Sequence, residues 1–157
     1  MKLDKTDWAI LEELQQDARL SYAELGRRVG LSSPAVQERT RRLEDAGIIE
    51  GYHAKVNLKQ LNVPLMAIIR LINIDTHETK EKVVEILRKL PEVTECYQVT
   101  GEDEFVIHMY AQSMEHMSNI KMHFAHYARL VTSIVIRKPI DGRVISLESF
   151  PYLEETD

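Results

Sequence analysis

Residues 20–47 read LSYAELGRRVGLSSPAVQERTRRLEDAG, and this stretch predicts two short helices joined by a glycine turn. Ser21, with Glu24 three positions later, forms a capping box that starts the first helix. Gly30 can adopt the left-handed conformation that ends this helix, and Leu31 can fill the space between two steeply crossing helices. The pattern is therefore typical of a helix-turn-helix.

The second of these helices starts close behind the turn. Gly26 has no side chain to obstruct its backbone, and Ser32 or Ser33 can cap its first turn. Pro34 suits that turn because its missing N–H would have no helical partner there. Spacing of i, i+4 and i+7 predicts an inward stripe of Val36, Thr40 and Leu43.

Charge distinguishes this pair of helices from the rest of the chain. Residues 27–42 contain five arginines and one acid, whereas the whole chain has a formal net charge of −5. A basic patch on an acidic protein attracts phosphates locally, although arginines on a merely solvated helix face are the alternative. The turn chemistry favours DNA. The predicted DNA contacts are Arg27, Arg28, Ser32, Ser33, Gln37, Glu38, Arg39, Arg41 and Arg42.

These predicted contacts divide by their chemistry. The side chains expected mostly to anchor phosphates are Arg27, Arg28, Arg39 and Arg42. Those expected to face base edges in the major groove are Ser33, Gln37, Glu38 and Arg41. Two-fold pairing of such helices predicts inverted half-sites spaced by about 10 bp or a multiple of it.

A further helix is predicted before this pair, and an extended segment after it. Asp4 can cap the helix with Asp7 at its third position. Its apolar stripe is expected to be Ile10, Leu11 and Leu14. After Gly47, the run IIEGYHAKVNL reads as a small wing or a strand leading onward, with a plain linker as the alternative.

From residue 64 the hydrophobic pattern changes period. Strand-like runs cover residues 65–74, 93–100, 105–111 and 131–137, and helical spacing covers residues 83–90 and 114–127. The order β-α-β-β-α-β is the split ferredoxin-like motif, whose antiparallel sheet buries one face under two helices. The bare, apolar face predicts dimerisation, and residues 144–153 are expected to pack on the sheet or on a partner.

The expected fold class is thus α+β, with an N-terminal, optionally winged, helix-turn-helix and a C-terminal ferredoxin-like βαββαβ domain. The domains are predicted at residues 1–50, a strand or linker at 51–63, and the βαββαβ domain at 64–157. No apolar segment is long enough to cross a bilayer and none resembles a signal peptide, which favours a cytoplasmic protein without a membrane partner.

Other chemistry receives little support from the residues. Cys96 is the single cysteine, so it forms neither an internal disulfide nor a thiolate zinc site, and it is expected to be a small core residue. His116, His123 and His126 lack clustered acids, which favours a surface or protomer contact over metal binding. No nucleophile with its base, glycine-rich phosphate loop or HExxH motif is present, so no metal, cofactor or catalytic residue is predicted.

The whole chain resembles the Lrp/AsnC, or feast/famine, family of transcription regulators. The residues that carry the resemblance are Leu3-Asp4, Asp7, Ile10-Leu11, Val29-Gly30-Leu31-Ser32, Glu38-Arg39, Arg41-Arg42-Leu43-Glu44, Gly47-Ile48-Ile49, Tyr52 and Val99-Thr100-Gly101. The resemblance implies a RAM-type effector-sensing domain and a homodimer formed by paired sheet faces. It also implies assembly to octamers, with an amino acid or similar metabolite bound between dimers.

By that resemblance, the effector site lies in the loop between strands two and three and at the start of strand four. The corresponding residues here are Thr100, Gly101, Glu102, Asp103, Glu104, Val131, Thr132 and Ser133. A carboxylate can hold the ammonium of an amino acid, and backbone N–H groups and hydroxyls can hold its carboxylate. The family commonly has aspartate before the aromatic, where this chain has Glu104, which predicts an altered or absent ligand. A solvated acidic turn without a ligand is the alternative.

The sequence therefore predicts a regulator that binds specific double-stranded DNA and is not an enzyme. Its DNA affinity is expected to respond to a small effector, an amino acid or related metabolite. Two other classes stay open: an architectural DNA-binding protein without an effector, and an enzyme built on the ferredoxin-like half. Comparing operator with scrambled DNA separates the first class, and a search for products separates the second.

Overall fold

The structure is a computed structural model that describes residues 2–74 and 76–150, and it divides into two compact units. The helical unit consists of the residues up to Ala54 together with those from Ile140 onward. The sheet unit runs from Lys55 to Pro139. Within the described ranges, no helix has the length and apolar character that crossing a membrane would require.

Three helices form the helical unit, and side chains cap each of them. They are α1 (Lys5–Gln16), α2 (Tyr22–Val29) and α3 (Ser33–Asp45). The predicted capping box of α1 is confirmed, because Asp4 and Asp7 each accept the other's backbone N–H, at 2.8 and 3.1 Å. At α2 only half of the predicted box forms: the Ser21 hydroxyl accepts the Glu24 N–H, while the Glu24 carboxylate binds arginines instead.

The turn between α2 and α3 forms as its glycines predict. Gly30 ends α2 with φ 73°, in the left-handed region. Gly26 faces the turn so closely that a Cβ on it would lie 2.5 Å from the Leu31 carbonyl oxygen. Of the two serines, Ser32 is the cap of α3. Its hydroxyl accepts the Ala35 N–H, and the first turn contains Pro34.

A small core joins the three helices, and each helix contributes buried side chains to it. The predicted stripe of α3 is confirmed, because Val36, Thr40 and Leu43 are all buried. Ile10 of α1 and Leu25 of α2 complete the fully buried set. Burial of these side chains leaves the polar residues of α3 on the opposite side of the helix.

The segment that follows α3 forms no strand in the described residues. The wing of the expected fold is therefore absent, and residues 50–57 are irregular up to a short 3₁₀ turn at Leu58–Leu61. The Tyr52 hydroxyl donates to the Glu44 carboxylate at 2.8 Å, which fixes the start of this segment against α3. The sequence left a wing, a strand and a plain linker open for this segment, and the structure shows the linker.

The end of the described chain returns to the helical unit. The Gln15 side-chain amide of α1 both donates to the Ile145 carbonyl, at 2.8 Å, and accepts the Ile145 N–H, at 2.9 Å. The Leu147 N–H, at the start of a 3₁₀ turn (Leu147–Ser149), donates to the Glu12 carboxylate at 3.4 Å. By its contacts, the described chain from Ile140 therefore groups with the helical unit.

The sheet unit confirms the predicted β-α-β-β-α-β order. Its elements are β1 (Leu65–Ile72), α4 (His77–Arg88), β2 (Val93–Gln98), β3 (Asp103–Ala111), α5 (Met114–Met122) and β4 (Arg129–Ile134). All pairings are antiparallel and the strand order is β2-β3-β1-β4. The last strand begins two residues earlier than predicted, because α5 ends at Met122 and Arg129 already pairs with Ile72.

The two faces of this sheet differ in burial. One face lies under α4 and α5, where side chains from β1, β3, both helices and the segment after α5 form the core: Ala67, Ile69, Leu71, Val83, Leu87, Phe105, Ile107, Met109, Met117, Ile120 and Phe124. The alternate residues of β1 and β3 form an open face that is only half-buried. Cys96 is exposed instead of lying in the core as predicted, because β2 is an edge strand.

Candidate functional site

The outward side of α3 is a continuous polar surface. Its exposed residues, opposite the buried stripe, are Ser32, Ser33, Gln37, Glu38, Arg41 and Arg42. Arg41 contacts Asp45 at a long 3.5 Å, and both side chains are highly exposed. An exposed ion pair at this distance contributes little to folding stability, so the Arg41 guanidinium can exchange Asp45 for another partner at little cost.

Arg39 differs from the other arginines of α3 because it points back to α1. One of its guanidinium nitrogens lies 2.7 Å from both the Asp4 and the Asp7 carboxylates. The Asp7 side chain is only 5% exposed, so Arg39 compensates a carboxylate that water reaches poorly. The hydrogen bond from Arg39 also lowers the pKa of the Asp4 carboxyl. Arg39 thus connects the cap of α1 to the middle of α3.

The two arginines of α2 share one acid. Glu24 accepts from Arg27 at 2.6 Å and from Arg28 at 2.9 Å, and these hydrogen bonds lower the pKa of Glu24 to about 2. Arg28 also reaches Glu13 of α1 at 2.7 Å, which ties α2 to α1. Arg27 remains 73% exposed, so most of its surface is open to a ligand despite the ion pair.

The loop between β2 and β3 turns on Gly101, whose φ of 117° favours glycine. The β1–β3 register shifts beside it, between Leu71 and Ile72, and the two acids that follow the turn take different partners. Asp103 contacts Arg70 on the open face at 3.2 Å. Glu104 contacts Lys80 of α4 and the Gln98 amide, each at 2.8 Å.

These contacts change what each acid of the loop can bind. The hydrogen bond from Lys80 lowers the pKa of the Glu104 carboxyl, so Glu104 already has a cationic partner. One oxygen of Asp103, Oδ1, is buried and has no hydrogen-bond partner in the described residues. An unpaired carboxylate oxygen is costly unless a donor binds it, and an ammonium is such a donor.

The part of β4 assigned to the effector site is divided between the two faces of the sheet. Val131 and Ser133 pair with Arg70 and Ile68 and therefore lie on the open face. Thr132 pairs with the buried Ile69 and faces the helices. The predicted set is thus divided, because β1 lies between β3, which follows the loop, and β4. Within β4, Thr132 also lies on the opposite face from its two neighbours.

Comparison with known proteins decides the identity of this two-unit chain. Residues 3–44 match the family model for the AsnC-type helix-turn-helix domain, and residues 67–145 match that for the Lrp/AsnC ligand binding domain. The chain belongs to the Lrp/AsnC family. It is a DNA-binding transcription regulator with a ligand-binding domain, and the family is one of regulators and not of enzymes.

Named relatives of this Lrp/AsnC regulator agree with the family assignment. The HTH-type transcriptional regulator LrpC of Bacillus subtilis is 36% identical over 86% of this chain and 92% of its own length. The leucine-responsive regulatory protein of Escherichia coli K12 is 39% identical over 67% of this chain and 65% of its own length. A solved complex of a Neisseria meningitidis transcriptional regulator with L-Met is 31% identical, with a TM-score of 0.87, and the match covers 94% of this chain and 98% of that one.

Sequence reasoning missed a polar network on the open face of this Lrp/AsnC regulator. Glu95 of β2 contacts His108 of β3 at 2.9 Å and accepts from the Tyr97 hydroxyl at 2.9 Å. The rings of Tyr97 and His108 meet edge to face, with centroids 5.7 Å apart. The hydrogen bond from Tyr97 lowers the pKa of the Glu95 carboxyl. Alternation along β2 and β3 was the available signal, because these residues share one face.

The three histidines near α5 do not share a site. His116 contacts Glu92 at 3.1 Å and accepts the Gln112 N–H, whereas His123 and His126 are exposed. In the described part of the chain, no three or more His, Cys, Asp or Glu side chains are grouped so that they could hold a metal. The Glu92 contact gives His116 a structural role at the start of α5.

Proposed function

We propose that this regulator reads double-stranded DNA with the outward side of α3 and responds to a free amino acid at the Gly101 loop. The observation that carries the first part is the burial of Val36, Thr40 and Leu43, which leaves a polar, arginine-bearing surface facing outward. A helix with this distribution fits the major groove, where Arg and Gln hydrogen-bond base edges.

The ion pairs support a revised division of labour among the predicted DNA contacts. We assign Arg39 and Arg28 to holding the helices together, because each forms an ion pair to an acid of α1. The residues that remain for DNA are Arg27, Ser32, Ser33, Gln37, Glu38, Arg41 and Arg42. Of these, Arg41 is the strongest candidate for base recognition, since its pair with Asp45 is long and exposed.

Replacing Arg41 by methionine tests the DNA proposal. We expect Arg41→Met to weaken binding to a selected operator by about 10- to 100-fold and to reduce the preference for it over scrambled DNA. The measurement is a titration of both DNAs at several fixed salt concentrations. Arg19→Met is the matched control, because Arg19 lies outside α2 and α3 and its removal changes net charge equally. Equal losses in both variants, or an operator preference near one, would contradict base reading.

For the effector, the buried Oδ1 of Asp103 supports binding of an ammonium group. The exposed Thr100 and Gly101 offer a hydroxyl and backbone N–H groups for the carboxylate of the same molecule. Glu102, Val131 and Ser133 complete the proposed site, and Glu104 and Thr132 support it from the helix side. The L-Met complex of the Neisseria meningitidis regulator shows that a related protein takes an amino acid.

A thermal-shift panel of the twenty amino acids tests the effector proposal. A ligand that binds only the folded protein stabilises it, by about 2.7 kcal/mol at a hundred times its Kd. This stabilisation raises the melting temperature. We expect Asp103→Asn to abolish the shift that the wild-type protein shows. Glu78→Gln is the control, since Glu78 pairs with Lys82 on the exposed side of α4. If all twenty amino acids fail to shift the protein, the amino-acid proposal is refuted while the DNA proposal stands.

Assembly is part of the same proposal. The open face of the sheet is only half-buried in a single chain and presents Met66, Ile68 and Ile72 on β1. We propose that this face pairs with the same face of a second copy, and that such dimers assemble further to octamers. Apolar side chains left accessible beside polar ones are usual at subunit interfaces, and two-fold pairing would present two α3 helices to inverted half-sites.

A further inference from the structure

A cleft lies between α4 and the edge strand β2; it adjoins the Gly101 loop, but none of its lining residues belongs to residues 99–104. Its volume is about 370 Å³, within the usual range of small-molecule pockets. Its walls carry apolar residues from both elements together with a few polar ones. The lining residues that matter here are Val84, Leu87, Arg88, Val93, Cys96 and Phe105.

The floor of the cleft is apolar. Phe105 and Leu87 belong to the buried core of the sheet unit, and Val84 and Val93 pack against that core while remaining partly accessible. A hydrocarbon chain that covers these side chains is removed from water, and this burial favours binding in proportion to its area. The floor thus suits a small aliphatic group.

The polar groups around the cleft are mostly committed to other partners. The Gln98 amide donates to Glu104, and the Thr94 hydroxyl donates to the His108 carbonyl. Glu95 lines the cleft through its strand, but its carboxylate binds Tyr97 and His108 on the opposite face of the sheet.

Arg88, in the exposed last turn of α4, differs from these residues. Across residues 2–74 and 76–150 its guanidinium forms no ion pair or side-chain hydrogen bond. A guanidinium at the rim of an apolar cleft is a suitable partner for a carboxylate, which it can bind with two parallel hydrogen bonds.

We infer that this cleft binds a small aliphatic monocarboxylate, with its carboxylate on Arg88 and its hydrocarbon on the floor formed by Val84, Leu87 and Phe105. The ligand lacks an ammonium group, because the one acid among the lining residues turns its carboxylate to the other face. An ammonium placed here would lose water without gaining a carboxylate partner from the lining residues. The inference goes beyond the proposed function, since it gives the sheet unit a second ligand of a different class.

Cys96 provides a direct readout of this cleft. It is the single cysteine of the chain and lines the cleft, so a thiol reagent reports on this location alone. Although the residue is exposed, partial burial of its thiol raises the pKa, which favours the protonated, less reactive form. A bound ligand would cover the sulfur and slow the reaction further.

The test measures the rate at which a chromogenic disulfide reagent modifies Cys96 in the full-length protein. The probes are ketoleucine, the 2-oxo acid with the carbon skeleton of leucine, and L-leucine itself. Ketoleucine at ten times its Kd is expected to slow modification about tenfold, and L-leucine at the same concentration to slow it far less. Protection by both compounds to the same extent, or by neither, would overturn the inference.

Two variants make the test specific. Arg88→Met is expected to raise the Kd of ketoleucine about 10- to 100-fold and so to leave about twofold protection or less at the same concentration, whereas Lys89→Met, which replaces the adjacent exposed cation, is expected to retain full protection. Full protection in Arg88→Met would refute the assignment. Asp103→Asn should lose the thermal shift with amino acids but keep the protection of Cys96, so failure of the effector proposal and failure of this inference are distinguishable.

Discussion

A Gly26→Ala substitution is expected to destabilise the helical unit by about 3 kcal/mol and to remove most of its DNA binding. The added methyl group would lie 2.5 Å from the carbonyl oxygen of Leu31, a backbone atom that follows directly after the turn. Relief of this clash requires α3 to move away from α2, which opens the core around Val36 and Leu25. This cost is a large part of the stability of a small unit.

The measurement is urea denaturation followed by the fluorescence of Trp8, the single tryptophan of the chain, which lies on α1 and so reports on the helical unit. Gly30 provides the control, because a Cβ there meets no other atom within 4 Å and its constraint is only the φ of +73°. Gly30→Asn should cost little, since asparagine tolerates this conformation. If Gly26→Ala were as stable as Gly30→Asn, the close approach of the two helices would be disproved.

An Arg39→Met substitution is expected to destabilise the same unit by about 2–3 kcal/mol, between the values for exposed and for buried ion pairs. It leaves the Asp7 carboxylate, 5% exposed, without its cation. It also removes the hydrogen bond that Arg39 makes to Asp4, the cap of α1. The midpoint of the Trp8 transition in urea measures the loss.

Arg41→Met is the matched comparison, because its ion pair is long and 71% exposed, and its stability should stay within about 0.5 kcal/mol of wild type. In DNA titrations under conditions in which both variants are folded, the order should reverse: Arg41→Met should bind the operator more weakly than Arg39→Met. The salt dependence of binding should keep its slope in Arg39→Met if Arg39 makes no phosphate contact. A stable Arg39→Met protein with a shallower salt slope would restore Arg39 to the DNA surface.

Local signals in the sequence were sufficient for the helix-turn-helix. The caps at Asp4 and Ser32, the left-handed Gly30 and the buried stripe of α3 depend on residues within one or two turns of each other. Such interactions are encoded by spacing and residue type alone. The order of strands and helices in the sheet unit could be predicted equally well, because the hydrophobic period differs clearly between the strands, with a period of 2, and the helices, with a period of 3.6.

Interactions between residues far apart in the sequence could not be predicted in the same way. Arg39 meets Asp7 across 32 positions. Its spacing of three from Val36 and four from Leu43 places it beside the buried stripe, but the spacing does not reveal its acidic partners on α1. The register shift beside Gly101 sends Asp103 and Glu104 to different cations, although two adjacent acids look equivalent in the sequence. The exposure of Cys96 follows from the edge position of β2, which depends on strand order and not on the strand itself.

The hydrogen bonds between Gln15 and Ile145 join residues that are 130 positions apart. During translation, Ile145 leaves the ribosome only after every strand of the sheet has been synthesised. The helical unit therefore acquires these hydrogen bonds only after the whole sheet unit has been synthesised. A chain that stops before Ile145 would lack both hydrogen bonds and leave the Gln15 amide of α1 without these partners.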